Sequence, residues 1–211
     1  MHGEIEKYIE QMIPKRSALF QQMEEEAKEH QVPIMESTGM EALLQILRIL
    51  QPASILEVGT AIGYSALRMA DALPNATIVT IERDEQRYLR AESYFQQSGK
   101  QEQIHLIKGD ALEVEAEVKR LAPYHAIFID AAKGQYKRFF EMYSSYLAED
   151  GIIVTDNVLF KGLVCEPHID NRRIRSLAKK INDFNQWLMG HSQYDTVILP
   201  VGDGVAISKK R

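Results

Sequence analysis

Residues 194–210 read YDTVILPVGDGVAISKK, two β-rich runs separated by an aspartate between glycines. A short glycine-containing turn between such runs predicts a hairpin, so the last strand should lie antiparallel to its neighbours. Upstream, the texture differs. From Ser54, apolar runs alternate with helical stretches: SILEVG and YSALRMADAL, ATIVTIE and DEQRYLRAESYFQQ, QIHLIKGD and ALEVEAEVKRL. HAIFID and QYKRFFEMYSSYL follow, then GIIVTDN and a long amphipathic stretch ending in FNQWLM. Apolar strands separated by helices predict a parallel α/β sheet buried on both faces. The expected core therefore spans 53–209, a mostly parallel sheet closed by an antiparallel last strand.

Before this core, residues 1–50 read as helical. Ile5, Tyr8, Ile9, Met12 and Ile13 recur at helical spacing before Pro14. Thr38 reads as the N-cap of a helix with Met40, Leu43, Leu44, Leu47 and Leu50 on one face. Val32 to Met35, around Pro33, links the two regions. No repeat or linker interrupts the 211 residues, which suit a single domain.

The formal net charge is -5, so polyanion binding would require a local basic patch acting against the global field. A single cysteine, Cys165, excludes an intramolecular disulfide and fits a reducing compartment. No run approaches the roughly 20 apolar residues of a membrane span, and no signal-like segment opens the sequence. A cytoplasmic protein is expected.

The first strand runs into EVGTAIGYS, where Gly59 and Gly63 bracket the turn into a helix. Such glycines serve a tight βα turn or let backbone approach a ligand. Tyr64 and Ser65 stand where the dinucleotide fingerprint needs its third glycine. The second strand ends on Glu82, placed to accept from ribose hydroxyls, and the third runs into GDA with Asp110 and Ala111. Together these tips favour an adenosine-type ligand.

Two further strands end in oxygen ligands: Asp130, followed by Lys133, and Asp156, followed by Asn157. Singly, each carboxylate can cap a helix or pair with Lys133 or Lys161. Jointly, at adjacent strand tips, they favour a site for a hard cation such as Mg²⁺. The six histidines are scattered and give no zinc spacing, and Cys165 reads as a small hydrophobe rather than a nucleophile. Lys133, one short turn past Asp130, is placed to take a proton from a metal-polarised hydroxyl.

The E-x-G-x-x-x-G turn from Glu57 to Gly63, the acid after strand two, GDA and the terminal hairpin resemble the seven-stranded, Rossmann-like S-adenosylmethionine-dependent methyltransferase fold. The D-x-x-K of Asp130 and Lys133 and the later DN resemble the Mg²⁺-dependent catechol and caffeoyl-CoA O-methyltransferase family. VPIMESTGMEALLQIL, EVGTAIGYSA, FIDAAKGQY, TDNVLFKGLV and PVGDGVAISKK are most similar to its bacillary branch. That branch converts 5-hydroxyuridine to 5-methoxyuridine at the tRNA wobble position. The resemblance implies that Met35, Ser65, Glu82, Asp110 and Asp130 contact S-adenosylmethionine, with Glu57, Gly59, Gly63 and Ala111 in the same motifs. It implies that Asp130, Asp156 and Asn157 hold the metal, that Lys133 is the candidate base, and that the protein is a homodimer. A small catechol or phenolic acceptor is the alternative. For a tRNA anticodon loop, NRRIRSLAKK offers Arg172, Arg173, Arg175, Lys179 and Lys180, with Lys15, Arg16, Lys161 and the KKR tail as additions. On sequence alone, a solvated helix face is the favoured reading of the same stretch. Tyr136 and Phe160 are candidates to stack on a base.

Overall fold

Five apolar runs lie side by side in parallel: Ser54–Val58 (β1), Thr77–Glu82 (β2), Ile104–Lys108 (β3), Tyr124–Ile129 (β4) and Leu147–Thr155 (β5). Tyr194–Leu199 (β6) and Val205–Lys210 (β7) form the hairpin, and β7 inserts antiparallel between β5 and β6. This is a computed structural model, describing residues 2–211, with side chains from Glu4 onward. The sheet order is β3-β2-β1-β4-β5-β7-β6, with the antiparallel last strand expected from the hairpin and the seven-stranded arrangement that the resemblance implies.

Among the described residues, eight α-helices accompany the sheet: His2–Met12 (α1), Ala18–Glu29 (α2), Ser37–Leu50 (α3), Tyr64–Ala72 (α4), Glu85–Ser98 (α5), Glu115–Arg120 (α6), Tyr136–Tyr143 (α7) and Arg172–Met189 (α8). Strand alternation sends Ile55, Ile78, Phe128 and Val154 to one face, against Met40, Leu43, Leu44 and Leu47 of α3 and Phe20 and Met23 of α2. Leu56, Val79, Ile127 and Ile153 meet Phe139, Phe140, Phe184 and Leu188 of α7 and α8 on the other. Each such fully buried side chain contributes on the order of 2 kcal/mol. With both faces covered, polar groups collect at the strand ends.

One N-terminal expectation changes. Glu36, not Thr38, occupies the N-cap position of α3. The Thr38 hydroxyl, inside the first turn, donates to Glu6 at 3.1 Å and accepts from the Gly202 N–H at 3.2 Å. Ser37 likewise donates to Glu10 at 3.0 Å. Glu6 and Glu10 thus meet α3, and the apolar residues Ile5, Tyr8 and Met12 of α1 are left more than half exposed.

Candidate active site

A cleft of about 320 Å³ runs along the C-terminal tips of β1 to β5, roofed by Pro33, Ile34 and Met35. Its floor begins at Gly59, which leaves β1 with φ +104°. A Cβ there would stand 2.1 Å from the Asp130 carbonyl oxygen, so the adjacent strand itself requires a glycine. Gly63, at φ +87°, turns the chain into α4, and a Cβ there would strike the Phe95 ring at 2.5 Å. Gly59, Met35, Ser65, Glu82, Asp110, Ala111 and Asp130 all line the cleft.

Glu57 and Gly63 stand behind that lining. Fully buried in β1, Glu57 accepts hydrogen bonds from the Ser65 hydroxyl and, at 2.5 Å, from the Thr80 hydroxyl. Burial pushes its carboxyl up to about 7, against the lowering effect of those two donors. Glu57 therefore orients Ser65 from beneath. Glu82 accepts from the Ala61 and Asp84 N–H groups, both at 2.8 Å, which fixes its carboxylate at the end of β2. Asp110 accepts from the Leu112 N–H at 2.9 Å and pairs with Arg83 at 3.3 Å. A larger groove of about 510 Å³ lies along edge strand β3, lined from α5 and α6, and contains none of the sequence-marked residues.

At the other end of the cleft, Ile129 pairs in register with Thr155, setting Asp130 and Asp156 beside each other at the tips of β4 and β5. Asn157 follows with φ +57°, and its Nδ2 donates to Asp156 Oδ2 at 3.0 Å. Lys133 opens a 3-10 turn, Lys133–Gln135, and its Nζ donates to Asn157 Oδ1. Burial pushes Asp130 up to about 6, opposed by the Lys133 charge and reinforced by Asp203. Burial, then the Asp130 charge, holds Asp156 well above the usual carboxylate range. Two adjacent desolvated carboxylates, with the Asp130 charge raising Asp156 and an amide oxygen alongside, fit a hard cation. Among the described residues, no three His, Cys, Asp or Glu side chains gather at metal-ligand spacing. The trio here has two carboxylates and one amide.

A family model described as O-methyltransferase matches residues 10–211. The chain belongs to the O-methyltransferase family. A Staphylococcus aureus crystal structure, provisionally described as a caffeoyl-CoA O-methyltransferase, is 35% identical, with a TM-score of 0.92 over 98% of this chain and 99% of that one. The catechol O-methyltransferase of Niastella koreensis is 30% identical over 184 residues, 83% of this chain and 81% of its own length. The O-methyltransferase TomG of Streptomyces achromogenes, solved in complex with SAM, shares the fold at 23% identity, with a TM-score of 0.82 over 98% and 96% of the two chains.

In this O-methyltransferase the basic stretch divides. Arg172 and Arg173 are exposed at the start of α8. Arg175 donates to the Ile169 carbonyl at 3.0 Å, and Lys179 pairs with Asp183 at 2.8 Å. Lys180 reaches Gly134, the residue after Lys133, where a Cβ would stand 3.9 Å from its Nζ. Of the proposed additions, Arg16 pairs with Glu24 and Arg211 with Asp195.

Tyr136 is not available to stack on a base. It is buried against Phe184, and its hydroxyl donates to the Asp156 carbonyl at 3.0 Å, fixing the backbone of that acid. Phe160 is partly exposed at φ +48°. Cys165 is exposed rather than packed as a small hydrophobe. Sequence reasoning also missed Asp203 in the β6–β7 turn, a buried acid whose charge raises both Asp130 and Asp156.

Proposed function

We propose that this O-methyltransferase transfers a methyl group from S-adenosylmethionine to the 5-hydroxyl of 5-hydroxyuridine at the tRNA wobble position, with Mg²⁺ held by Asp130, Asp156 and Asn157. The observation that carries the reading is the pairing of Asp130 with Asp156 at adjacent strand tips, with Lys133 on Asn157. When bound, the sulfonium supplies the methyl group and Mg²⁺ lowers the pKa of the acceptor hydroxyl. Glu82, already held by two backbone donors, would receive the ribose hydroxyls, and Met35, Asp110 and Ala111, which line the same cleft, would hold the rest of the cofactor. Ser65, oriented by Glu57, lines the turn into α4.

In its unprotonated form, Lys133 Nζ receives the hydroxyl proton, and Asp130 and Asp156 then balance the ammonium. Much of the remaining rate comes from holding oxygen and methyl at near-attack distance. The 5-hydroxyl and the neighbouring C4 carbonyl of 5-hydroxyuridine present two adjacent oxygens, as a catechol does. Selection of RNA then falls to phosphate contacts outside the cleft, for which Arg172, Arg173 and Lys180 are the best placed. A homodimer belongs to the same proposal, supported by the exposed apolar residues Ile5, Tyr8 and Met12 of α1.

A second reading, methylation of a small catechol or phenol, is supported by the 30% identity to a catechol O-methyltransferase and by the net charge of -5. The two separate in one assay. Purified protein is incubated with labelled S-adenosylmethionine and Mg²⁺, with and without chelator. Parallel reactions hold a catechol panel and tRNA from cells lacking this protein. Chelator-sensitive labelling of tRNA at a far higher kcat/KM than any catechol supports the first reading. Turnover of catechols alone supports the second.

A further inference from the structure

The proposed chemistry leaves Asp203 without a role. It lies in the β6–β7 turn, 8% exposed, between Gly202 at φ +52° and Gly204 at φ +86°. Its carboxylate accepts from the backbone N–H of Lys161, and its carbonyl accepts from the Leu159 N–H at 2.9 Å. The Gly204 carbonyl accepts from the Val158 N–H at 3.1 Å, and a Cβ on Gly204 would stand 2.3 Å from Leu159 Cγ. The turn and the segment after β5 are therefore in direct contact along Val158 to Lys161.

That segment does not hold its own shape. Asn157, Phe160 and Lys161 have φ values of +57°, +48° and +53°, in the left-handed region. Each costs a non-glycine residue on the order of 1 kcal/mol and persists only where its surroundings impose it. Lys133 and Asp156 hold the Asn157 side chain at its start, and two further side chains hold the rest: Asn185 of α8, whose Nδ2 donates to the Val158 carbonyl at 2.7 Å, and Asp203. Asp203 holds the far end, at Lys161, and the corner so fixed begins at Asn157 in the cleft wall. On the other side of the turn, Gly202 N–H donates to Thr38 Oγ1, so the hairpin also braces the start of α3 behind Met35.

We propose that Asp203 is a positioning residue for acceptor binding. By capping the Lys161 amide it holds the Asn157–Lys161 corner in its left-handed path, which fixes Asn157 and the acceptor-side wall. The proposal rests on the reading that the acceptor enters beside Asn157. An amide oxygen can accept the same hydrogen bond as a carboxylate, so Asp203→Asn should keep the corner and Asp203→Ala should release it.

The test compares wild type, Asp203→Ala and Asp203→Asn by hydrogen–deuterium exchange and by separate KM values for acceptor and S-adenosylmethionine. Asp203→Ala is expected to speed exchange at 158–161 about tenfold and to raise acceptor KM by a similar factor, the equivalent of one net hydrogen bond. The KM for S-adenosylmethionine stays within about twofold, and Asp203→Asn restores both quantities. Unchanged exchange at 158–161 in Asp203→Ala would overturn the clamp, as would an Asn variant as loose as the Ala one. Equal rises in both KM values would overturn the acceptor-specific role. If wild type methylates neither tRNA nor catechols, the reading of the acceptor fails, while exchange still decides whether Asp203 holds the corner.

Discussion

Lys133 Nζ donates a hydrogen bond to Asn157 Oδ1, tying the turn after β4 to the tip of β5. The amine proposed to take the acceptor proton is thus held by a proposed cation ligand. The base assignment makes a specific demand on substitution. Lys133→Ala should lower kcat about 10² to 10⁴-fold with little change in KM for S-adenosylmethionine. Lys133→Arg should be equally slow, because a guanidinium does not release its proton in this range. Steady-state kinetics across pH check this; substantial rescue by arginine would make Lys133 a positioning charge instead.

Glu57 sets a pH dependence of stability. Its folded value, about 7, lies above the roughly 4.3 of an unfolded glutamate. The native protein therefore holds a proton that the unfolded chain has released, and this contribution to stability is lost as pH rises from about 4 to about 7. The isosteric Glu57→Gln should remove that slope and be the more stable protein at pH 8, by on the order of 3 kcal/mol at most. Denaturant melts of both proteins at pH 5 and pH 8 measure it. Parallel pH profiles would show that Glu57 ionises as readily in the fold as out of it.

Two glycines with positive φ separate close approach from turn geometry. Gly59→Ala drives a methyl into the Asp130 carbonyl and should cost on the order of 3 kcal/mol. Gly99, at φ +69° with nothing within 4 Å of its position, should lose only about 1 kcal/mol as alanine. Midpoints of urea unfolding compare them; equal losses would mean that the β1–β4 contact adds nothing.

Arg172 and Arg173 are exposed cations at the start of α8. Replacing both with alanine should raise KM for tRNA, leave KM for a catechol unchanged, and reduce the salt slope of RNA binding by about 1.4. Lys179→Ala, which removes a residue already paired with Asp183, should do less. Filter binding between low and moderate salt reads the slope, and identical slopes would assign the RNA surface elsewhere.

Much of the site was legible because strands buried on both faces leave little reason for an acid except at the tip. Glu82, Asp110, Asp130 and Asp156 all stood out against apolar runs, and all reached one edge of the sheet. The terminal hairpin gave the antiparallel insertion for a similar reason, since only a tight turn fits GDG. The same three letters hid Asp203, because a turn aspartate reads as local chemistry. Its partner Lys161 lies 42 residues away, and only the insertion of β7 beside β5 brings them together. Tyr136 was misread because helical spacing does not show which face α7 presents to the sheet. The outward apolar residues of α1 were equally invisible, since Glu6 and Glu10 find their partners on α3 only in three dimensions.

Replacing Asp156 tests the central claim most directly. tRNA from cells lacking this protein is incubated with S-adenosylmethionine, Mg²⁺ and either wild type or Asp156→Ala, and nucleosides are resolved by mass spectrometry. The account predicts conversion of 5-hydroxyuridine to 5-methoxyuridine by wild type and its loss in the variant, with S-adenosylmethionine affinity retained. Absence of 5-methoxyuridine with wild type, or equal conversion by both proteins, would contradict it.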